Sequence, residues 1–113
     1  MEIQKQNSTN LLIKDRGNYY NLSVDDIVWI QSEGNYITLY TDNKKYVVKQ
    51  SLRRIIDLLE DDRFVKIQKS YVVRTDLIDI IDSQNDLVHI GALQFPIGRS
   101  FKEGLFSKFK ILK

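Results

Sequence analysis

Apolar residues in this chain come in short runs broken by polar punctuation, not in one long helical period. Leu11-Leu12-Ile13 and Tyr19-Tyr20-Asn21-Leu22 read as two strands around Asp15-Arg16-Gly17-Asn18, a turn with Gly and Asn where positive φ is needed. Ser23-Val24-Asp25-Asp26 reads as a short helical turn capped by Ser23. Ile27 to Ser32 and Tyr36 to Tyr40 are rich in β-branched and aromatic residues and flank Glu33-Gly34-Asn35, the pattern of a hairpin. After a turn at Asp42-Asn43-Lys44, Tyr46-Val47-Val48 supplies another strand.

The period then changes. Leu52, Ile55, Ile56 and Leu59 follow the i, i+3, i+4, i+7 rule, predicting a helix over Ser51 to Glu60 with Ser51 as N-cap and Arg53, Arg54 and Asp57 outward. Short strands resume at Phe64 to Ile67, Tyr71 to Val73, Leu77 to Ile81, Leu87 to Ile90 and Gln94 to Ile97, with Ser83-Gln84-Asn85-Asp86 as a turn. Ser100-Phe101-Lys102-Glu103 matches a capping box opening a last helix, with Phe101, Leu105 and Phe109 on one side. Two short helices among many strands predict a mainly β fold. Residues 1–9 are polar and aperiodic, and read as a linker or tail ahead of one domain over residues 10–113.

Composition narrows the class. With 113 residues, 42% hydrophobic and 28% charged, the chain suits one globular domain. No apolar run approaches a membrane span and no secretory signal opens the chain, so a cytoplasmic location is expected. The absence of Cys removes disulfides, thiolate metal sites and cysteine nucleophiles. His89 is the only histidine, and it lies within a strand pattern with no second histidine to share a metal. Asp61-Asp62 follows a helix and reads as a loop, since adjacent carboxylates rarely converge as an acid pair. Neither a phosphate loop nor a dinucleotide fingerprint occurs, so no cofactor, metal or catalytic set is implied. A small hydrolase built on Asp and Ser residues has nothing to assemble it.

Charge changes the picture more. Met1 to Asn43 has a balance of −3, Lys44 to Arg74 of +5, Thr75 to Gly98 of −4 and Arg99 to Lys113 of +4. If the two basic blocks meet in space they form a face suited to a polyanion; otherwise they are a mixed solvated surface. Three polar corners carry related chemistry: Glu33-Gly34-Asn35, Gln68-Lys69-Ser70 and Gly98-Arg99-Ser100 each set an amide, Lys or Arg between rigid elements. Such side chains make most base-edge contacts in the major groove, although each corner alone is also an ordinary turn. Trp29, Tyr36 and Tyr40 could stack on unpaired bases, or simply pack the core of a sheet.

The order of these motifs resembles the LytTR DNA-binding domains of bacterial response regulators. Glu33-Gly34-Asn35-Tyr36 is similar to their E-G-N-Y element, and Ser51-Leu52 with Leu58-Leu59 to their sL…L helix. Phe64 to Val73 resembles their F-x-R-x-H-R-S-Y-x-V block, and Phe95 to Phe101 their x-P-V-S-R-x-Y ending. The resemblance spans roughly Asn10 to Leu112. It implies an elongated fold of antiparallel strands in several small sheets with one or two short helices, inserting loops into successive major grooves of double-stranded DNA.

By position, it makes Asn35, Lys69 and Arg99 the base-reading residues, and Lys66, Gln68, Ser70, Arg53 and Lys102 backbone contacts. Arg99 suits guanine, Asn35 adenine, and Lys69 guanine or phosphate. Gln68 stands where the family usually has His, Lys69 where Arg is common, and Arg74 where Asn is common. Lys69 lacks the planar fork of Arg, so a preferred operator does not transfer. The resemblance further implies a dimer on direct repeats and an N-terminal receiver domain, absent from this chain, that controls pairing. A protein-interaction or sensory β-module, contacting its partner through edge strands and tyrosines, is the competing expectation.

Overall fold

The computed structural model describes residues Asn10–Lys113; the predicted linker at residues 1–9 lies outside them. Its centre is a five-stranded antiparallel sheet in the order β5-β4-β3-β7-β6, built from β3 (Trp29–Glu33), β4 (Tyr36–Tyr40), β5 (Lys45–Val48), β6 (Phe64–Gln68) and β7 (Tyr71–Arg74). Alternation along these strands sends side chains to two separate cores. Ile30, paired with Val72, points to one face, and Trp29, paired with Val73, to the other.

On the first face lie α1 (Leu52–Leu59) and the hairpin of β1 (Asn10–Asp15) with β2 (Asn18–Ser23). Ile13, Leu22, Leu52, Ile55 and Leu59 pack there against Ile30, Ile37, Leu39 and Val72. The predicted helix is observed with its caps: Ser51 Oγ accepts the Arg54 N–H at 3.1 Å, and Glu60 turns left-handed to end it. Arg53, Arg54 and Asp57 are exposed, as the period requires.

The second face carries a three-stranded sheet, β8 (Ile80–Asp82), β9 (Leu87–Ile90) and β10 (Leu93–Pro96), in the order β10-β9-β8, together with α2 (Lys102–Phe106). Val88, Ile90, Phe95, Ile97 and Leu105 bury against Val28, Ile67 and Val73. Each wholly buried side chain of this size contributes about 1.5–3 kcal/mol relative to exposure. Trp29 stacks on Tyr40 with centroids 3.8 Å apart and meets Phe95 at 4.8 Å, so these aromatics line a core. The whole measures 47 × 42 × 25 Å.

Two predicted elements differ. Leu77 to Ile81 is not one strand: Thr75–Leu77 forms a 3-10 turn closed by the Ile78 N–H on the Thr75 carbonyl, and β8 begins only at Ile80. The Ser100 capping box does not form. A 3-10 turn over Arg99–Phe101 precedes α2, placing Ser100 inside that turn, and no side chain caps the helix. The helix is five residues long, so Phe109 falls beyond it and is 39% exposed, while Leu105 alone is buried on it.

Candidate nucleic-acid interface

The three polar corners converge on one end of the five-stranded sheet. β3 runs antiparallel to β7 with Gln31 opposite Tyr71, so the turn after β3 and the turn before β7 leave the sheet at the same end. The Ser32 N–H donates to the Ser70 carbonyl at 2.9 Å, tying the first corner to the second. The Gly98 N–H donates to the Ile67 carbonyl at 2.8 Å, tying the third to the second. The second corner is the hub.

Each corner is shaped differently. Glu33 faces Tyr36, leaving Gly34 and Asn35 as a two-residue turn in which Gly34 has φ +61°. Nothing lies within 4 Å of a Cβ built on Gly34, so its glycine answers the backbone conformation and not crowding. The Lys69–Ser70 turn, between Gln68 and Tyr71, has no residue of positive φ. Unprimed two-residue turns splay the strands they join. Here the pairing shifts register between Lys66 and Gln68, a bulge that adds local twist, and Gln68 Oε1 accepts the Ser70 N–H at 2.8 Å. The third corner rests on crowding. A Cβ at Gly98 would come within 2.8 Å of the Phe101 ring and 3.7 Å of Gln68 Cα.

Asn35, Lys69 and Arg99 are exposed, and among the described residues neither Lys69 nor Arg99 pairs with a carboxylate. Lys66 and Ser70 are half-buried beside them, with Lys66 Nζ 5.9 Å from the Phe101 ring centroid. The basic blocks therefore do meet, along β6 and the turn before α2. Arg53 lies on the exposed face of α1; β5 ends at Val48 opposite Ile37, which brings the start of α1 toward the same end of the sheet. Lys102 is engaged elsewhere, 2.5 Å from Asp86.

Two other cations of the central basic block, Arg63 and Arg74, serve the fold. Arg63 binds Asp61 at 2.6 Å and Asp25 at 2.7 Å, and Arg74 binds Asp76 at 2.8 Å and the carbonyls of Asp25 and Ile27. The hydrogen bond from Arg63 holds the Asp61 carboxyl below its ordinary range, and the two carboxylates raise the Arg63 guanidinium further above its own. Through the carbonyls of Asp25 and Ile27, Arg74 clamps the turn before β3. His89 lies in β9 of the three-stranded sheet, opposite Ile80 and Gln94. The sequence marks Gly98 as part of the third corner and Phe101 as a helix-face residue, but not the packing between them and Gln68, since close approach of two loops leaves no periodic signal.

A mainly β slab with unpaired cations on a cluster of tied loops defines a small domain suited to a polyanion. The chain belongs to the LytTr DNA-binding domain family, which matches residues 17–110. Its function is accordingly DNA binding in transcription regulation. An uncharacterized response regulatory protein of Vibrio cholerae is 26% identical over 88 residues, covering 72% of this chain and 34% of that protein. The chain thus spans about a third of the length of this curated relative. The solved LytTr DNA-binding domain of a methyl-accepting/DNA response regulator from Bacillus cereus superposes with a TM-score of 0.72 at 16% identity, covering 91% of this chain and 96% of that one. Among the described residues no helix is long and apolar enough to cross a membrane.

Proposed function

We propose that this domain reads double-stranded DNA sequence-specifically by inserting its three tied loops into the major groove, as the effector domain of a two-component response regulator. The observation that carries the reading is the convergence of Asn35, Lys69 and Arg99, all exposed, on corners joined by two backbone hydrogen bonds. Arg99 addresses guanine through its planar fork, Asn35 adenine through its amide, and Lys69 a guanine edge or a phosphate. Lys66, Ser70 and Arg53 hold phosphates, and Lys102 joins them on leaving Asp86. Gln68, also expected on the backbone, keeps its amide N–H groups for such a contact while its oxygen accepts from Ser70.

One copy offers a small contact area, so two copies on direct repeats ~10 bp apart would supply useful affinity. An N-terminal receiver domain would control that pairing. The test is selection of bound sequences from a random duplex pool at several salt concentrations. An enriched motif with steep loss of affinity as salt rises is expected, because phosphate contacts release counterions. No motif at any salt would refute sequence-specific reading.

One observation favours a second reading. The β1–β2 hairpin exposes Leu12 at 67% and Tyr19 at 61%. Were that hairpin the working surface of a protein-interaction module, the domain would bind a protein partner and show no salt-sensitive DNA affinity.

A further inference from the structure

We infer that Gln68 is a positioning residue for DNA-sequence preference: its side-chain oxygen holds the Lys69 turn in the shape from which Lys69 addresses DNA. The inference rests on the DNA-binding reading and goes beyond it, because it moves the main contribution of Gln68 from a phosphate to the protein's own backbone.

Three observations converge. First, the turn carrying Lys69 and Ser70 has only negative φ values, whereas the turns at Arg16-Gly17, Gly34-Asn35 and Gly91-Ala92 each contain residues of positive φ. This turn therefore lacks the backbone geometry that closes a tight hairpin unaided. Second, the strand entering it is bulged between Lys66 and Gln68: Ile67 is the residue left without a register partner, and the added residue re-aims Gln68, which still faces Tyr71. Third, Gln68 Oε1 accepts the Ser70 N–H at 2.8 Å across the turn, satisfying the donor two residues on. Lys69, between the two partners, is exposed and unpaired among the described residues, so its direction is set by the backbone on either side of it.

The same bond reaches the other loops. The Ser70 carbonyl accepts from Ser32, and Gly98, packed against Gln68 Cα, donates to the Ile67 carbonyl. Releasing the Ser70 N–H would loosen the residue through which the first loop is attached. Preference would then blur first at the base addressed by Lys69.

The two roles of Gln68 make opposite demands on its side chain. Positioning needs the acceptor oxygen; phosphate contact needs the amide N–H groups. Gln68→Met matches the length and removes both, while Gln68→Glu keeps an acceptor, removes the donors and adds a charge that repels every duplex alike. Selections on the full chain are run for wild type and both variants, with the salt slope measured on the wild-type duplex and the fold of each checked by thermal unfolding. In Gln68→Met, discrimination at one position of the motif should fall about 3- to 10-fold with the salt slope unchanged. Gln68→Glu should bind all duplexes more weakly yet return the wild-type motif.

An unchanged motif in Gln68→Met overturns the inference, as does equal blurring in Gln68→Glu. So does equal weakening of cognate and random duplex in Gln68→Met, the mark of a lost phosphate contact. Gln68→Ala, which also lacks the acceptor, gives the same readout should the methionine variant unfold. A wild-type chain that enriches no motif fails the DNA reading itself, whereas a wild-type motif that survives Gln68→Met fails only the role of Gln68.

Discussion

Gly98→Ala measures how tightly the third loop is pressed against the second. The backbone at Gly98 has φ −74° and ψ 144°, which any residue adopts, so alanine brings no torsional strain. Removing the freedom of glycine from the unfolded chain should stabilise by about 0.4–1 kcal/mol. Against this stands the new methyl, 2.8 Å from one carbon of the Phe101 ring and 3.4 Å from the next. Carbon atoms prefer about 3.5–4.0 Å, so the ring must retreat by at least ~0.7 Å. Overpacking of this kind costs about 1–3 kcal/mol. The net expectation is a loss of about 1 kcal/mol.

A second background isolates the cause. In a Phe101→Ala chain the obstruction is gone, and the same Gly98→Ala change should become stabilising by about 0.4–1 kcal/mol. Urea unfolding of the four proteins gives the coupling energy, expected at about 1–3 kcal/mol. Equal effects of Gly98→Ala in both backgrounds would show that Phe101 does not fill the space beside Gly98, and the packing argument for the third loop would collapse.

Arg99→Ala should cost about 1–3 kcal/mol on the selected duplex and relax preference at one base; equal weakening on random duplex would remove its base-reading role. Asp86→Asn should free Lys102 from its 2.5 Å partner, raise affinity for every duplex and steepen the log–log salt slope by about 0.9, while asparagine tolerates the φ of +55° at that position. No gain in affinity would place Lys102 off the DNA. Asp61, held below its ordinary range by Arg63, contributes stability that is present above its unfolded value of about 3.9 and is lost as pH falls through the lower folded value. Urea midpoints should therefore fall below about pH 4, and Asp61→Asn should flatten that acid limb; an unaltered limb would mean that other carboxylates set it.

Wherever local chemistry decides structure, the sequence was legible. Leu52, Ile55 and Leu59 bury as their spacing requires, and Ser51 caps the helix they form. The hairpin around Glu33-Gly34-Asn35 closes because Gly34 supplies the positive φ it needs. Ser100 misled for the same reason: its four-residue pattern is local, but the chain first makes a 3-10 turn whose Phe101 N–H bonds the Gly98 carbonyl. Arg63 and Arg74 counted toward a basic surface in the linear charge balance, yet Asp25 and Asp76 meet them from distant or neighbouring turns. The grouping of the three corners was implied only by family resemblance; in physical terms it depends on long-range strand order, which no window of residues reveals.

The ties from Ser32 to Ser70 and from Gly98 to Ile67 leave the three loops little freedom to adjust their spacing separately. A reader built this way transfers the work of fitting to the duplex. Bending a site of 20–30 bp by 40–90° costs on the order of 1–6 kcal/mol, and less where flexible pyrimidine–purine steps absorb the kink. Base pairs lying between the loops, untouched by any side chain, would then still be chosen, for their pliancy.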